Sequence, residues 1–221
     1  MPHFQGDEAK RYDSNIIKLV PGYELLHQLT AAQLVTLLPD ESTILVIGAG
    51  TGKDIIELAQ HNNSWHFVAQ DISCDMLNIA KLQLTHHGLA SRVTFHYGAL
   101  SVLDTPVDAA ICLLVMHFLP DTGEKHALLK SIHRNLQPKA PLFLADLVSP
   151  ETQFERESQL LMCRSLGLTE VGEQRMRHNL NHEFYPLERM RLAELLDQAA
   201  FSSANCYFKA LGFSGFACRA L

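Results

Sequence analysis

The stretch Ile44-Leu45-Val46-Ile47-Gly48-Ala49-Gly50-Thr51-Gly52 constrains this chain more than any other. An apolar, largely β-branched run stops at three alternating glycines, and a helix-like pattern opens at Lys53-Asp54-Ile55-Ile56-Glu57-Leu58-Ala59. That order describes a buried parallel strand turning into a helix across a loop that a ligand must approach closely. Glycine allows the tight turn and removes the Cβ that would collide with the ligand.

Spacing separates three nucleotide-binding readings of this loop. A dinucleotide fingerprint needs G-x-G-x-x-G, but Gly52 comes one place early and Lys53 holds the required position. A phosphate-binding P-loop needs G-x-x-x-x-G-K-[ST]. Gly52-Lys53 supplies its end, but Ile47 stands at its first glycine and Asp54 replaces the magnesium-holding hydroxyl. What remains is G-x-G-x-G after a strand, with no basic residue in the turn. That pattern suits a ligand without a pyrophosphate.

The rest of the chain alternates strand-like and helix-like segments, which implies an α/β fold with a mainly parallel sheet. Residues 12–38 read as two helices broken at Pro21-Gly22. Strands are expected at 42–47, 65–70, 92–97, 107–113 and 141–147, with helices at 53–60, 74–87, 123–136 and 188–199. Residues 151–185 break the alternation; they are mostly helix-forming, with Gly167 and Gly172 as interruptions. Such an insertion after the fifth strand fits a lid over the strand ends. Residues 206–210 and 216–220 read as a closing pair of strands.

At 221 residues the chain can bury one substantial core, so a single domain is expected over residues 1–221, with residues 1–40 as an N-terminal helical lid. A formal net charge of −6 gives no general electrostatic reason to bind nucleic acid. The five cysteines show no C-x-x-C and argue against a disulfide framework or zinc ribbon. Residues 1–10 are polar, and the longest apolar run, 109–116, is too short to span a bilayer. These features point to a reducing, cytoplasmic setting without a membrane partner.

The glycine loop and the next strand, His66-Phe67-Val68-Ala69-Gln70-Asp71-Ile72-Ser73 followed by Met76-Leu77, resemble the class I S-adenosylmethionine (SAM)-dependent methyltransferases. Val20-Pro21-Gly22-Tyr23 then resembles the N-terminal lid of the carboxy-SAM synthase and UbiE-like group. The resemblance implies a three-layer Rossmann-like fold with a seven-stranded sheet ending in an antiparallel hairpin, and SAM as cofactor. It places Gly48, Ala49, Gly50, Asp71, Ile72, Met76, Ala99, Leu100 and Leu113 at the cofactor, with Tyr23 closing on it. Asp71 lies about 20 residues beyond the glycines, the separation of an acid that accepts hydrogen bonds from ribose hydroxyls. Alone, Asp71 and Ser73 also read as a helix cap, and Tyr23 also reads as an aromatic staple. Tyr12-Asp13 resembles a further motif of the group.

The segment Asp108 to Pro120 resembles the family's fourth strand and L-H-H-L turn, with His117 at the first histidine and Phe118 replacing the second. His117 and Asp146, at the end of strand five, are the candidate catalytic residues, with Tyr185 a further acceptor-side candidate. A capping role for Asp146 and a backbone-satisfied His117 stay open. Four departures from the family matter. Val46 replaces an acid two residues before the first glycine, Ala99 replaces an adenine-reading acid, Leu113 replaces an asparagine, and Leu195 aligns with an arginine that holds the carboxylate of carboxy-SAM. An unpaired buried carboxylate is costly, so ordinary SAM is the expected cofactor.

The expected function is transfer of the SAM methyl group to a small-molecule acceptor. A non-catalytic SAM-binding protein stays open because of Val46, Ala99 and Leu113. Transfer to tRNA or protein would need a local basic patch, for which Arg175, Arg177, Arg189 and Arg191 are the candidates. His178 and His182 have a metal-like spacing, but no H-E-x-x-H frame exists and no metal is expected. A homodimer is left open.

Overall fold

The apolar run before the glycines forms strand β1 (Thr43–Ile47), an inner strand of the sheet in the computed structural model, which describes residues 4–150 and 152–221. Before β1 come α1 (Gly6–Lys10), α2 (Tyr12–Leu19) and α3 (Tyr23–Leu37). After it follow α4 (Lys53–His61), β2 (His66–Asp71), α5 (Cys74–His86), β3 (Val93–Tyr97), β4 (Ala109–Leu113), α6 (Glu124–Asn135) and β5 (Pro141–Leu147). The chain closes with α7 (Gln153–Ser165), α8 (Glu170–His182), α9 (Arg189–Gln198), β6 (Asn205–Ala210) and β7 (Phe213–Arg219). Glu151, where the expected insertion begins, and Met1 to His3 of the expected N-terminal lid lie outside the described residues.

The sheet has the order β3-β2-β1-β4-β5-β7-β6. β1 pairs in parallel with both β2 and β4, and β4 with β5; β7 runs antiparallel to β5 and to β6. The order reverses between β1 and β4, so the carboxyl ends of these two strands open a crevice where such sheets bind ligands. The glycine loop leaves β1 there, and the His117 turn leaves β4 on the other side.

Side-chain alternation divides the core into two layers. Ile44 and Val46 face a cluster with Leu34 of α3, Ile55 of α4 and Leu84 of α5. Leu45 and Ile47 face another with Leu129 and Ile132 of α6 and Leu196 of α9. Strands β4 and β5 are buried at every position, as near-continuous apolar runs in a covered parallel sheet should be.

Several boundaries differ from those expected, for local reasons. Val107 makes only a lone bridge to Leu136, so β4 starts later. β7 starts at Phe213 because it pairs along the whole of β5, from Leu147↔Phe213 to Pro141↔Arg219. Helix α1 carries a short polar run with no apolar period, which hid it. Gly172 does not interrupt a helix. It lies in the first turn of α8, where its N–H donates to the capping Thr169 Oγ1 at 3.1 Å.

The third loop glycine packs helices and does not face a ligand. Gly52 caps α4 with φ +84°, and a Cβ there would sit 3.2 Å from Leu84 Cδ1 and 3.3 Å from Ala80 Cβ on α5. Gly52→Ala should therefore lose about 1–2 kcal/mol for the left-handed backbone and about 1–3 kcal/mol more for overpacking. Gly88→Ala, at φ +71° in open space, should lose only the backbone part. Urea unfolding measures both, and equal losses would refute the packing role of Gly52.

Candidate active site

The glycine loop is held by its neighbours in the sheet. Gly50 N–H donates to Asp71 Oδ2 at 2.8 Å, and Ala49 N–H donates to the Gln70 carbonyl at 2.8 Å. Asp71 Oδ1 accepts from Ser73 N–H at 2.8 Å, and Ser73 in turn caps α5. The capping and ligand readings of Asp71 are thus compatible: two backbone donors leave lone pairs on both carboxylate oxygens. Burial pushes the Asp71 carboxyl above its ordinary value, while the hydrogen bonds from the Ser73 and Gly50 N–H groups pull it back. Gly48 has φ +65°, and a Cβ there would lie 2.5 Å from Val115 Cγ2. Only glycine lets the loop pass so close to the turn after β4.

A cavity of about 420 Å³ opens over these strand ends. Of the expected cofactor residues, Gly48, Gly50, Asp71, Ile72, Met76, Ala99, Leu100 and Leu113 all line it. Ala49 and Tyr23 line a small polar recess beyond the loop instead, with His27, Lys53 and Asp54. Gln70, a buried amide in an otherwise apolar strand, completes the frame: its Nε2 donates to the Gly98 carbonyl at 2.6 Å and ties the loop after β3 to the loop after β1.

In the recess, Tyr23 is buried and packs on His27 with ring centroids 4.3 Å apart and planes tilted by 49°. Lys53 Nζ sits 4.9 Å over the Tyr23 ring. Tyr23 therefore fills the staple role and borders the loop as well. His27 Nδ1 donates to the Tyr23 carbonyl at 2.7 Å, and Nε2 lies 2.5 Å from Asp54 Oδ1. An imidazole between two acceptors needs both protons. Burial opposes its charge, but the Asp54 charge and hydrogen bond and the Tyr23 carbonyl outweigh it, so its pKa rises above the ordinary 6.5.

The turn after β4 carries His117. Asp146, fully buried at the end of β5, accepts from Met116 N–H at 2.6 Å, His117 N–H at 3.2 Å and Leu147 N–H at 2.7 Å. His117 Nδ1 bonds the same carboxylate at 2.6 Å. Asp146 thus caps the turn and orients the imidazole together. That bond places the proton on Nδ1 and leaves Nε2 as the free edge of neutral His117. Lys125, almost wholly buried, donates at 2.7 Å to the carbonyls of both Met116 and Tyr185. Tyr185 N–H donates back to the His117 carbonyl at 2.7 Å. Tyr185 is 45% exposed, and it is Phe184 that meets the His117 ring, at 4.9 Å, and lines a second cavity. The backbone of Tyr185, not its phenol, serves the site.

His117 also lines this second cavity, of about 330 Å³, walled by α2, the α7–α8 loop and α8. Phe4, Tyr12, Leu114 and Phe118 line both this cavity and the larger one, and Tyr12 and Leu114 also line the recess. Leu114 holds φ +62°, a costly conformation for leucine and one that nothing in the sequence signals. Asp13 helps to hold α2 in place: its carboxylate accepts from Thr51 Oγ1 at 2.7 Å and from Gln83 Nε2 at 3.2 Å.

Other candidates, apart from Arg175 on the wall of the second cavity, separate from this site. The His178 and His182 rings pack at 4.8 Å on α8, tilted by 45°, and among the described residues no group of three His, Cys, Asp or Glu side chains could hold a metal. Arg175 pairs with Glu8, Arg177 with Glu157 and Glu173, and Arg191 with Asp121 and Glu194. Leu195 is fully buried against the α6 layer and lines none of the three cavities. No helix among the described residues is long and apolar enough to cross a membrane.

Residues 44–139 match the family model described as "Methyltransferase domain". With the sheet order and the glycine loop, this makes the chain a methyl-transferring enzyme with the fold of the class I SAM-dependent methyltransferases. It is 23% identical over 218 residues to the carboxy-S-adenosyl-L-methionine synthase of Campylobacter jejuni subsp. doylei, covering 96% of this chain and 92% of that one. It is 31% identical over 136 residues to the O-methyltransferase aunD of Aspergillus niger, which is 58% of this chain but only 32% of aunD. The structure of magnesium protoporphyrin IX methyltransferase from Synechocystis PCC 6803 with bound SAH superposes with a TM-score of 0.73 at 17% identity, covering 99% of this chain and 97% of that one. The chain spans about half the length (54–55%) of several other methyltransferase structures it matches.

The His27 geometry makes stability depend on pH. Its raised folded pKa means that its contribution is fully present below about pH 6.5 and is lost as pH rises through the folded value. Urea midpoints followed upward from acid should fall across that window in the native chain, and His27→Gln should flatten this component. An unchanged profile in His27→Gln would show that the pair carries no such charge.

Proposed function

We propose that this chain binds SAM in the larger cavity and transfers its methyl group to a hydroxyl of a small, largely apolar molecule held in the second. The observation that carries this reading is His117 on the wall of the second cavity, held from behind by the buried Asp146. A sulfonium methyl is already activated, so the main task is holding nucleophile, carbon and sulfur in line. A hydroxyl arrives protonated and is a weak nucleophile, so a base is needed. Neutral His117, its Nδ1 proton held by Asp146, would take the hydroxyl proton on Nε2. The oxygen then bonds the methyl carbon as the carbon–sulfur bond breaks, leaving the methyl ether, SAH and a protonated His117. Asp146 lines no cavity and acts through His117, as a positioning residue.

The cofactor roles follow from the cavity. Asp71 would accept from the ribose hydroxyls, Gly48 and Gly50 would allow the backbone to come close, and Ile72, Met76, Ala99, Leu100 and Leu113 would pack around the nucleoside. Ala49 and Tyr23 would border its amino-acid end. Residues 1–40 and 151–185 would act as lids of one domain, because α2 and α8 both wall the acceptor cavity. A cytoplasmic setting fits the unpaired cysteines. Ion pairs on three of the four candidate arginines, Arg175, Arg177 and Arg191, weigh against a nucleic-acid acceptor, and a base on the wall of a largely apolar cavity weighs against a protein that only binds SAM.

SAM should bind with a Kd of micromolar order, roughly −7 to −8 kcal/mol. Asp71→Asn should weaken it about tenfold, the value of one or two hydrogen bonds to a charged acceptor. Carboxy-SAM should bind no more tightly than SAM, because Phe4, Tyr12, Leu114 and Phe118, where the cavities meet, offer no cation. Calorimetry tests all three, and hydrogen exchange should show added protection in α2 and α8 when SAM binds. Preference for NADH or ATP over SAM would sink the cofactor reading.

Turnover tests the base. With any phenolic acceptor that yields SAH, His117→Ala should keep SAM affinity and lower kcat by about 10²–10⁴. Asp146→Asn should act in the same direction and displace the pH profile of kcat/KM. Wild-type turnover in His117→Ala would remove His117 from the chemistry.

A further inference from the structure

Lys18 stands out among the groups around the second cavity. It shares the cavity wall with the apolar Ile16, Leu19, Leu168 and Met176 and with the uncharged Thr169 and Asn179. Arg175, the other cation of this cavity, is paired with Glu8 at 3.2 Å. Among the described residues Lys18 has no carboxylate partner, and its stem rests beside Gly167 of the α7–α8 loop. Asn15, one helical turn before it on α2, lines the same cavity and has no side-chain hydrogen-bond partner there.

A half-buried ammonium without a carboxylate partner, on a largely apolar cavity wall, favours a single counter-charge. The protein carries a formal net charge of −6, so its overall field repels anions, and any attraction must come from the cavity itself. Glu8 at the same rim disfavours a dianion such as a phosphate monoester. The aromatic rings of Phe4, Phe118 and Phe184 offer faces for a flat ring. The volume, about 330 Å³, is at the small end of ligand pockets and suits one or two rings.

We propose that the acceptor is a hydroxylated aromatic carboxylate, its hydroxyl at His117 and its carboxylate paired with Lys18 and Asn15. The inference rests on the reading of this cavity as the acceptor pocket. Lys18 would set specificity and take no part in the methyl transfer itself.

The test compares 4-hydroxybenzoate and 4-hydroxycinnamate with their neutral amides, titrated into the SAH-loaded protein. At least one acid should bind about fivefold or more tighter than its amide, as one partly screened ion pair provides. Lys18→Met, which keeps the apolar stem, should remove that preference by weakening the acid alone. SAH affinity measured in the same variant checks that it folds. Equal binding of acid and amide, absence of binding by all four probes, or a preference that survives Lys18→Met would each overturn the proposal. Tighter binding of carboxy-SAM than SAM, lost in Lys18→Met, would also overturn it by assigning the cation to the cofactor. If SAH and SAM themselves fail to bind, the cofactor reading falls first and independently, and the acceptor proposal falls with it.

Discussion

The carboxylate of Asp146 is the interaction on which the arrangement around β4 and β5 depends. It sits without solvent contact and accepts from three backbone N–H groups and one imidazole. A buried carboxylate is tolerated only when its oxygens are this fully engaged. The same bonds fix the path of the chain after β4, and with it the place of His117. Lys125 extends the network by joining the Met116 and Tyr185 carbonyls, so the end of the α8 segment is tied to the same turn. Removing any member would leave buried partners unsatisfied, which is why such networks hold one geometry.

Much of the sheet could be read in advance because its signals are local. Uninterrupted apolar runs at 44–47, 109–113 and 141–145 belong to strands covered on both faces, and glycines with positive φ mark the loop after the first. The site was legible where one residue type answers one need: a glycine under Val115, an acid at the end of β2. It was illegible where a role depends on distant partners. His117 and Asp146 each stand out at a strand end, but they are 29 residues apart in sequence and no spacing rule joins them as a pair. Gln70 showed only as a polar residue in an apolar strand. Leu114 and Lys125 gave no signal, since neither a left-handed leucine nor a buried lysine can be told from its ordinary counterpart. Tyr185 was named where Phe184 faces the cavity, a shift of one residue in a segment without period.

The departures from the carboxy-SAM synthase pattern look different in three dimensions. Leu195 packs against the α6 layer, so the missing arginine says little about what the cavity admits. The relevant surface is where the chambers meet, and there the side chains are uncharged. Ala99 likewise removes an acid, but the loop that carries it stays anchored: Gln70 holds the Gly98 carbonyl and His96 Nε2 donates to the Ala99 carbonyl at 3.0 Å. A main chain kept this still can present its own polar groups in place of a lost side chain.

Helix α2 is a party wall. Tyr12 faces every chamber of the site, while Asn15 and Ile16, on the same two turns, face only one. A change that reshapes one chamber from this helix is therefore felt next door when it falls on Tyr12, and stays private when it falls a turn later. Acceptor choice can drift along α2 without cost to the cofactor, provided that the drift leaves the tyrosine alone.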